Sequence, residues 1–549
     1  MRAHNVTTNR QRGADERRAA RRRAATASVA VLVGLGGVAG VASAGEEAAT
    51  APAAGGTATV VVGADPGRLD PHLSVFVTTN AVNSFAYETL VYLGQDGEIT
   101  PGLAESWEES PTSVTYTLKD GVTCADGTPL TATTVADNFS FVADPANQSP
   151  LLGLYVPPGV TAEADDAART VTLTSETPVP FMLQNTGAAL FIVCDAGLAD
   201  RSTLASGTNG TGPFVLEEAV PDDHYTFSAR EDYTWGPDGA TSELPGFPSE
   251  VVVRIIPNES TAANLLLSGE VDIATIAGAD RQRVENEGYF VSENQAIVGE
   301  FFFNQMEGLP TADVSVRQAL MGALDLQELM SVQTAGNGAL ASGLAVTLPK
   351  ACPGDTVGAF LTAGADVDAA GQLLDEAGWV MGSDGVREKD GAPLTIRALY
   401  VVEIENSALS MELAMAAWQE LGVDVQLQGV DQAQFNTIAF ETRAWDVFLA
   451  ALNLDVPSLA VAFVSGAQPP DGVNFSAVAN AEYDALVAEA SALTGAEACE
   501  VWDAAEAELY AQMNILPVAA TTAPTFGNGA EFAVGRIGII ANSLRLVEA

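Results

Sequence analysis

The chain has 549 residues, 47% of them hydrophobic, and a net charge of −47. That length exceeds a single core and points to three or four units of roughly 150 residues each, while the apolar content excludes a largely disordered polymer. With 24 basic against 71 acidic residues, nucleic acid is excluded as a partner, because phosphate contacts need lysine and arginine.

The N-terminus reads as an export signal. Eight arginines between Arg2 and Arg23 precede the apolar, Ala- and Gly-rich stretch 24–44, and Ala42-Ser43-Ala44 has the small-x-small form that a signal peptidase cuts. Residues 1–44 are therefore expected to be a signal peptide cleaved after Ala44. The alternative is an uncleaved anchor, although the stretch is barely long enough to cross ~30 Å of hydrocarbon. The first cysteine is Cys124, too late for a lipid anchor. Residues 45–56 then form a flexible leader. Past Ala44 the chain holds 16 basic and 69 acidic residues, a net charge of −53. Such a surface fits an acidic proteome in a saline habitat or, less simply, attraction of cationic ligands.

Mature elements follow in order. Thr57–Val62 is a β-branched strand, stopped by Pro66, Gly67 and Pro71, and a helix is expected over Asn80–Leu93. Val114, Tyr116 and Leu118 alternate along a strand. Asp120-Gly121 and Asp126-Gly127 mark turns, and Thr131 can cap the helix that carries Val135 and Phe139. A strand and an apolar segment lead to Cys194, and the glycine-punctuated "GTNGTGPFVL" passes into two further strands. A strand, a helix capped at Ser260 and stopped at Gly269, and another strand are expected between 251 and 276. Helices dominate from Asn304 to Trp379. "LTIRALYV" and "GVDVQLQGV" are strands flanking a helix at Ser407–Leu421, and "WDVFLAAL" is a strand. Two helices follow, at Glu482–Leu493 and Ala496–Met513. "ILPVAATTAPTF" and "FAVGRIGII" return to strands. Alternating strands and helices make the fold class α/β with more than one sheet.

Catalytic signatures are missing. The sequence has no G-x-S-x-G, no His-Glu-x-x-His and no Walker loop with its lysine, and the glycines of "GTNGTG" suit a turn between strands better than a phosphate cradle. His4, His72 and His224 are the only histidines and no cysteine stands at metal-ligand spacing, so neither a metal nor any other cofactor is expected. Four cysteines in an exported chain suggest two disulfides.

Several collinear motifs resemble one family. They are "RLDPH" at 68–72, "ITPGLAESWE" at 99–108, "YTLKDGVTCADGTPLTATTVADNF" at 116–139, "GTGPFVL" at 210–216, "AANLLLSGEVDI" at 262–273, "VRQALMGALD" at 316–325, "AAGQLLDEAGW" at 369–379 and "LGVDVQL" at 421–427. Together they resemble the extracellular solute-binding proteins of the peptide/nickel class, the receptors of ATP-binding-cassette (ABC) importers. The resemblance implies a two-lobed, periplasmic-binding-protein-like fold with an accessory subdomain in the first lobe. Its implied parts are a first lobe of 57–93, 213–299 and 521–549, an accessory subdomain of 94–212 and a second lobe of 300–520.

The same resemblance implies a monomeric, non-enzymatic receptor that hands a peptide-like or other small polar solute to a membrane permease. A receptor for an oligosaccharide or metal chelate, or an exported enzyme, are the alternatives. Implied ligand contacts are Ser74, Phe76 and Thr78 after the opening motif, Asn304 after "FFF", and Asn453 and Asp455 in "WDVFLAALNLDVPS". Asp455 stands where dipeptide binders carry an aspartate for the peptide ammonium, but Leu452 replaces their aromatic residue, so a dipeptide fits poorly. Asp455 could instead cap the "VPS" turn. The family usually has a large apolar residue at position 124. Cys124 is accordingly expected to pair with Cys194, and Cys352 with Cys499, each pair within one lobe.

Overall fold

The structure, a computed structural model, describes residues 55–547 except 75, 95–96, 348–349, 362–363, 403, 405, 432–433 and 436. The expected signal peptide and the leader up to residue 54 lie outside the described residues.

An eleven-stranded sheet organises the molecule. Its strands run in the spatial order Asp424–Val430, Thr395–Val401, Val447–Ala450, Phe290–Phe303, Ile515–Gly527, Ile273–Thr275, Thr57–Val62, Glu250–Ile255, His224–Ala229 and Phe214–Val220, with Gly338–Leu340 added beside Ile515–Gly527. The two long strands in the middle, Phe290–Phe303 and Ile515–Gly527, are antiparallel and cross from one half to the other. Their register shifts between Ile297 and Gly299 and again between Gly299 and Glu300.

Each half has its own parallel set. Thr57–Val62 pairs in parallel with Glu250–Ile255 and Ile273–Thr275. Thr395–Val401 pairs in parallel with Asp424–Val430 and Val447–Ala450. Alternation explains why these segments are strands: Ala58, Val60 and Val62 are buried on one face, while on the other Thr57 is exposed, Thr59 is half-buried and Val61 packs against the cluster around Ala263 and Leu266.

A separate four-stranded sheet is built from Ala104–Ser110, Ser113–Leu118, Thr170–Thr174 and Thr161–Asp165. Val114, Tyr116, Val171 and Leu173 form its inner face against Val135, Phe139 and Val142 of the helix Ala132–Ala143. Thr131 starts that helix, its hydroxyl accepting the Thr134 N–H at 3.0 Å. The buried side chains fall into distinct clusters. One gathers residues from Leu90 to Ile192 with Tyr233 and Trp235, one joins the first strands to Phe532–Leu546, and the largest runs from Ile297 to Ala520. Cys124 is bonded to Cys194 across 70 residues, and Cys352 to Cys499 across 147.

Three elements depart from the sequence reading. The helix expected at Asn80–Leu93 is Val77–Asn83. Beyond it the backbone of 210–212 lies against Ala86, so close that a Cβ on Gly212 would fall 2.5 Å from the Ala86 carbonyl carbon. A continued helix could not share that space, and the glycines of "GTNGTG" serve this approach. The helix Glu259–Ser268 is capped by Asn258, whose side chain accepts the Thr261 N–H at 2.9 Å, rather than by Ser260. "FAVGRIGII" is a tight hairpin of Val534–Gly535 and Gly538–Ile539, with Arg536 and Ile537 at its turn.

Candidate functional site

In an open α/β sheet, ligands bind beyond the carboxyl ends of parallel strands, where helix N-termini and loops converge. Here both parallel sets have such ends. One set supplies the loops after Val62 and Thr275, and the other those after Val401 and Ala450. Where the loop after Thr275 approaches the one after Val401 lies a cavity of about 330 Å³, within the range of small-molecule sites. Gly278 and Arg281 line it from the segment after Thr275, Val298 and Thr521 from the crossing strands, and Asn337 and Asn406 from the segments after Gln333 and Val401. The Arg281 guanidinium is braced from behind, donating to the Thr522 hydroxyl at 2.8 Å and to Glu285 at 2.6 Å. Residues 403 and 405, beside Ile404 of the wall, lie outside the described residues.

The expected contacts take different places. Ser74 is buried in its own loop, its Oγ 2.8 Å from Thr79 Oγ1 and accepting the Phe76 N–H at 3.2 Å. Phe76 is 68% exposed, a large ring offered to solvent next to exposed Val77, and Thr78 is half-buried. The opening loop is held by Asp70, which accepts the His72 N–H and pairs with Arg201. Asn304 is fully buried; its amide donates to the carbonyls of Trp445 and Arg443, so it ends its strand and offers nothing to a cleft. Asn453 is exposed and accepts the Ile297 N–H at 2.7 Å, which ties the loop after Ala450 to a crossing strand.

Asp455 has a partner that sequence reasoning missed. Its carboxylate is ion-paired with Arg536 at the turn of the C-terminal hairpin. It does not cap the following turn, which carries no side-chain cap. Arg536 also donates to the Gln184 carbonyl at 2.8 Å and sits 5.5 Å from the centre of the Tyr155 ring. Arginine scarcity is the signal that could have found it: one of 16 basic residues past the leader is placed in a glycine-flanked turn.

Two buried acids stand nearby. Glu300, on a crossing strand, accepts the Leu452 N–H at 3.2 Å through one oxygen, and the other has no partner among the described residues. Burial pushes its carboxyl well above the carboxylate range, and the charge of Glu506 adds to this. Burial also raises Glu506, against the hydrogen bonds of Thr356, Leu344 and Tyr510. Among the described residues no group of three or more His, Cys, Asp or Glu is placed to hold a metal. The arrangement is that of a binding cavity bounded by amides, hydroxyls and a braced guanidinium.

Residues 98–470 match the bacterial extracellular solute-binding proteins, family 5 middle region. The chain belongs to this family. The solute-binding protein is 27% identical over 429 residues to the nickel-binding periplasmic protein of Escherichia coli, covering 75% of this chain and 78% of that one. It is 26% identical over 482 residues to the periplasmic murein peptide-binding protein MppA of the same species, covering 83% and 86%. The unliganded open form of MppA superposes with a TM-score of 0.74 at 24% identity, over 91% of this chain and 99% of that one. A substrate-binding protein of Microbacterium hydrocarbonoxydans complexed with 4-hydroxybenzoate hydrazide superposes at 0.62 with 26% identity, over 89% and 99%. The solute-binding protein thus has the two-lobed α/β architecture of its periplasmic relatives.

Proposed function

We propose that this protein is the extracytoplasmic receptor of an ABC importer and that it delivers a peptide-like or other small polar solute to the permease. The observation that carries the reading is the cavity beyond the carboxyl ends of Ile273–Thr275 and Thr395–Val401, one strand from each parallel set, in a family whose members bind solutes outside the cytoplasm. Two crossing strands leave the lobes free to rock about the ligand, the hinge motion of such receptors.

Export rests on the arginine-rich, apolar N-terminus, with cleavage after Ala44 placing the mature chain outside the membrane. It acts there as a monomeric carrier, not an enzyme, and takes no nucleic acid. The contacts we assign to the solute are the cavity wall, the exposed Phe76 and the half-buried Thr78 in the first turn of the helix Val77–Asn83. A metal chelate is the second reading, favoured by the likeness to the nickel-binding protein and by the guanidinium of Arg281 in the wall.

Native mass spectrometry of the secreted protein should show a retained small molecule, and calorimetry with that molecule should give 1:1 binding. Hydrolysis of a panel of ester, amide and glycoside substrates by the pure protein would overturn the reading.

A further inference from the structure

Phe181 packs far from its neighbours in sequence. Its ring lies 5.8 Å from that of Trp502 and joins a small cluster with Val487, Ala490, Leu493 and Ala498. Every other member of that cluster comes from residues 461–502, most of them on the helices Ala481–Ala490 and Gly495–Ala511. Those helices are rooted in the largest core through Tyr483, Ala505, Leu509 and Tyr510. Phe181 instead belongs to the segment of the four-stranded sheet, where Met182 and Leu183 share a core with Leu90, Leu93 and Tyr233. One ring therefore joins two parts of the molecule that have separate cores.

This contact differs from a permanent core. Phe181 has φ +55°, left-handed backbone that is sterically unfavourable for a bulky residue. Its carbonyl accepts the Asn185 N–H at 2.9 Å beside the π-helix Leu183–Gly187, a geometry frequent at functional sites. The facing surfaces leave a gap of about 10 Å³, no larger than a single water needs. Polar groups line it, with Glu109, Ser110 and Gln184 on one side and Thr494 on the other. Glu109 is half-buried, and its carboxylate makes no hydrogen bond among the described residues. Parting the surfaces would rehydrate that acid, which offsets part of what is lost when the ring leaves. The receiving helix is braced, because Cys499, three residues before Trp502, is bonded to Cys352.

We propose that Phe181 is a reversible clasp that holds the two parts together in the solute-free protein, and that solute enters when the ring leaves Trp502. This rests on the receptor reading above and gives its motion a release point.

The test measures the separation of the two parts in the mature chain. Nitroxide labels are placed at Glu163→Cys in the small sheet and Glu489→Cys on the helix Ala481–Ala490. The four native cysteines are all in disulfides, so labelling is confined to these two sites. Double electron–electron resonance then compares the native residue at 181 with Phe181→Ala and Phe181→Leu, each freed of small molecules by exhaustive dialysis. The native form should give one narrow distance. Phe181→Ala should lengthen it by more than about 2 Å, and Phe181→Leu, which keeps apolar bulk, should fall between. The Asp455–Arg536 pair is intact in all three, so the ring alone is read.

The same distance in all three forms overturns the proposal, since the crossing strands and the ion pair would then suffice to hold the parts. If Phe181→Ala melts early, Phe181→Leu carries the test, and a distance equal to the native one overturns the clasp. The readout needs no solute. Distances that shift in a protein that retains no small molecule by native mass spectrometry leave the clasp standing and remove the receptor reading.

Discussion

Acid should destabilise this protein through His72. The imidazole is fully buried and its Nε2 lies 2.9 Å from the Phe191 carbonyl, so the ring donates there, while Nδ1 has no partner among the described residues. Protonating Nδ1 would bury a charge with no acceptor. Burial first, and the Arg201 guanidinium second, pull the imidazole from 6.5 down to about 4, against the Phe191 carbonyl and the carboxylate of Asp70.

A lowered folded pKa means that the unfolded chain binds more protons between those two values. Stability is therefore full above about pH 6.5 and falls until about pH 4. Linkage over this window gives a loss of about 2 kcal/mol between pH 7 and pH 5 and about 3 kcal/mol by pH 4. Other groups titrate in the same range, so the informative quantity is the difference between wild type and His72→Gln, whose amide can still donate to Phe191. Urea melts at pH 7, 6 and 5 should show wild type losing about 2 kcal/mol more than the variant by pH 5. A pH-independent difference, or an imidazole titrating near 6.5 by NMR, would refute the argument.

Glu300→Gln should stabilise the protein above neutral pH and change little at pH 4. A raised carboxyl pKa lends stability below the ordinary carboxylate range, and this is lost as pH rises through the folded value; thermal melts from pH 4 to 8 should diverge upward. Replacing Cys124 and Cys194 with alanine should cost about 4 kcal/mol, and Cys352 with Cys499 about 5 kcal/mol, in the loop-entropy account. Denaturant midpoints measure both, and unchanged midpoints would contradict them. Net charge of −53 past Ala44 should make the melting temperature rise between low salt and 1 M KCl, as the screening length shrinks to about 3 Å; a flat or falling curve would count against it.

Strand alternation at Thr57–Val62 and Ser113–Leu118 and the cap at Thr131 were legible because neighbours within a few residues decide them. The helix after the opening loop was not, because its end at Asn83 is set by a backbone more than a hundred residues away, pressed against Ala86. The site divides in the same way. Position marked Asp455 as notable, but the charge that answers it comes from Arg536, 81 residues later in a hairpin whose aim no local pattern reveals. Asn304 misled for a related reason: a strand end at a crevice and a strand end in a core read alike until the carbonyls of Arg443 and Trp445 are placed beside it.

The two crossing strands also limit how the molecule can move. They are bonded to each other from Phe290 to Phe302, so sliding one along the other would break a whole ladder at once. At the double register shift around Gly299 side-chain bulk is missing and the ladder is irregular, so bending of the ribbon is expected to concentrate there. If the lobes rock as proposed, the pair would act as a torsion bar whose twist is taken up in that segment. A side chain at Gly299 would meet the Ala519 methyl and the Gln333 stem at 3.1 Å and stiffen that segment. Because Gln333 and the adjacent Val298 also line the cavity, such a side chain would reach the wall as well as the ribbon.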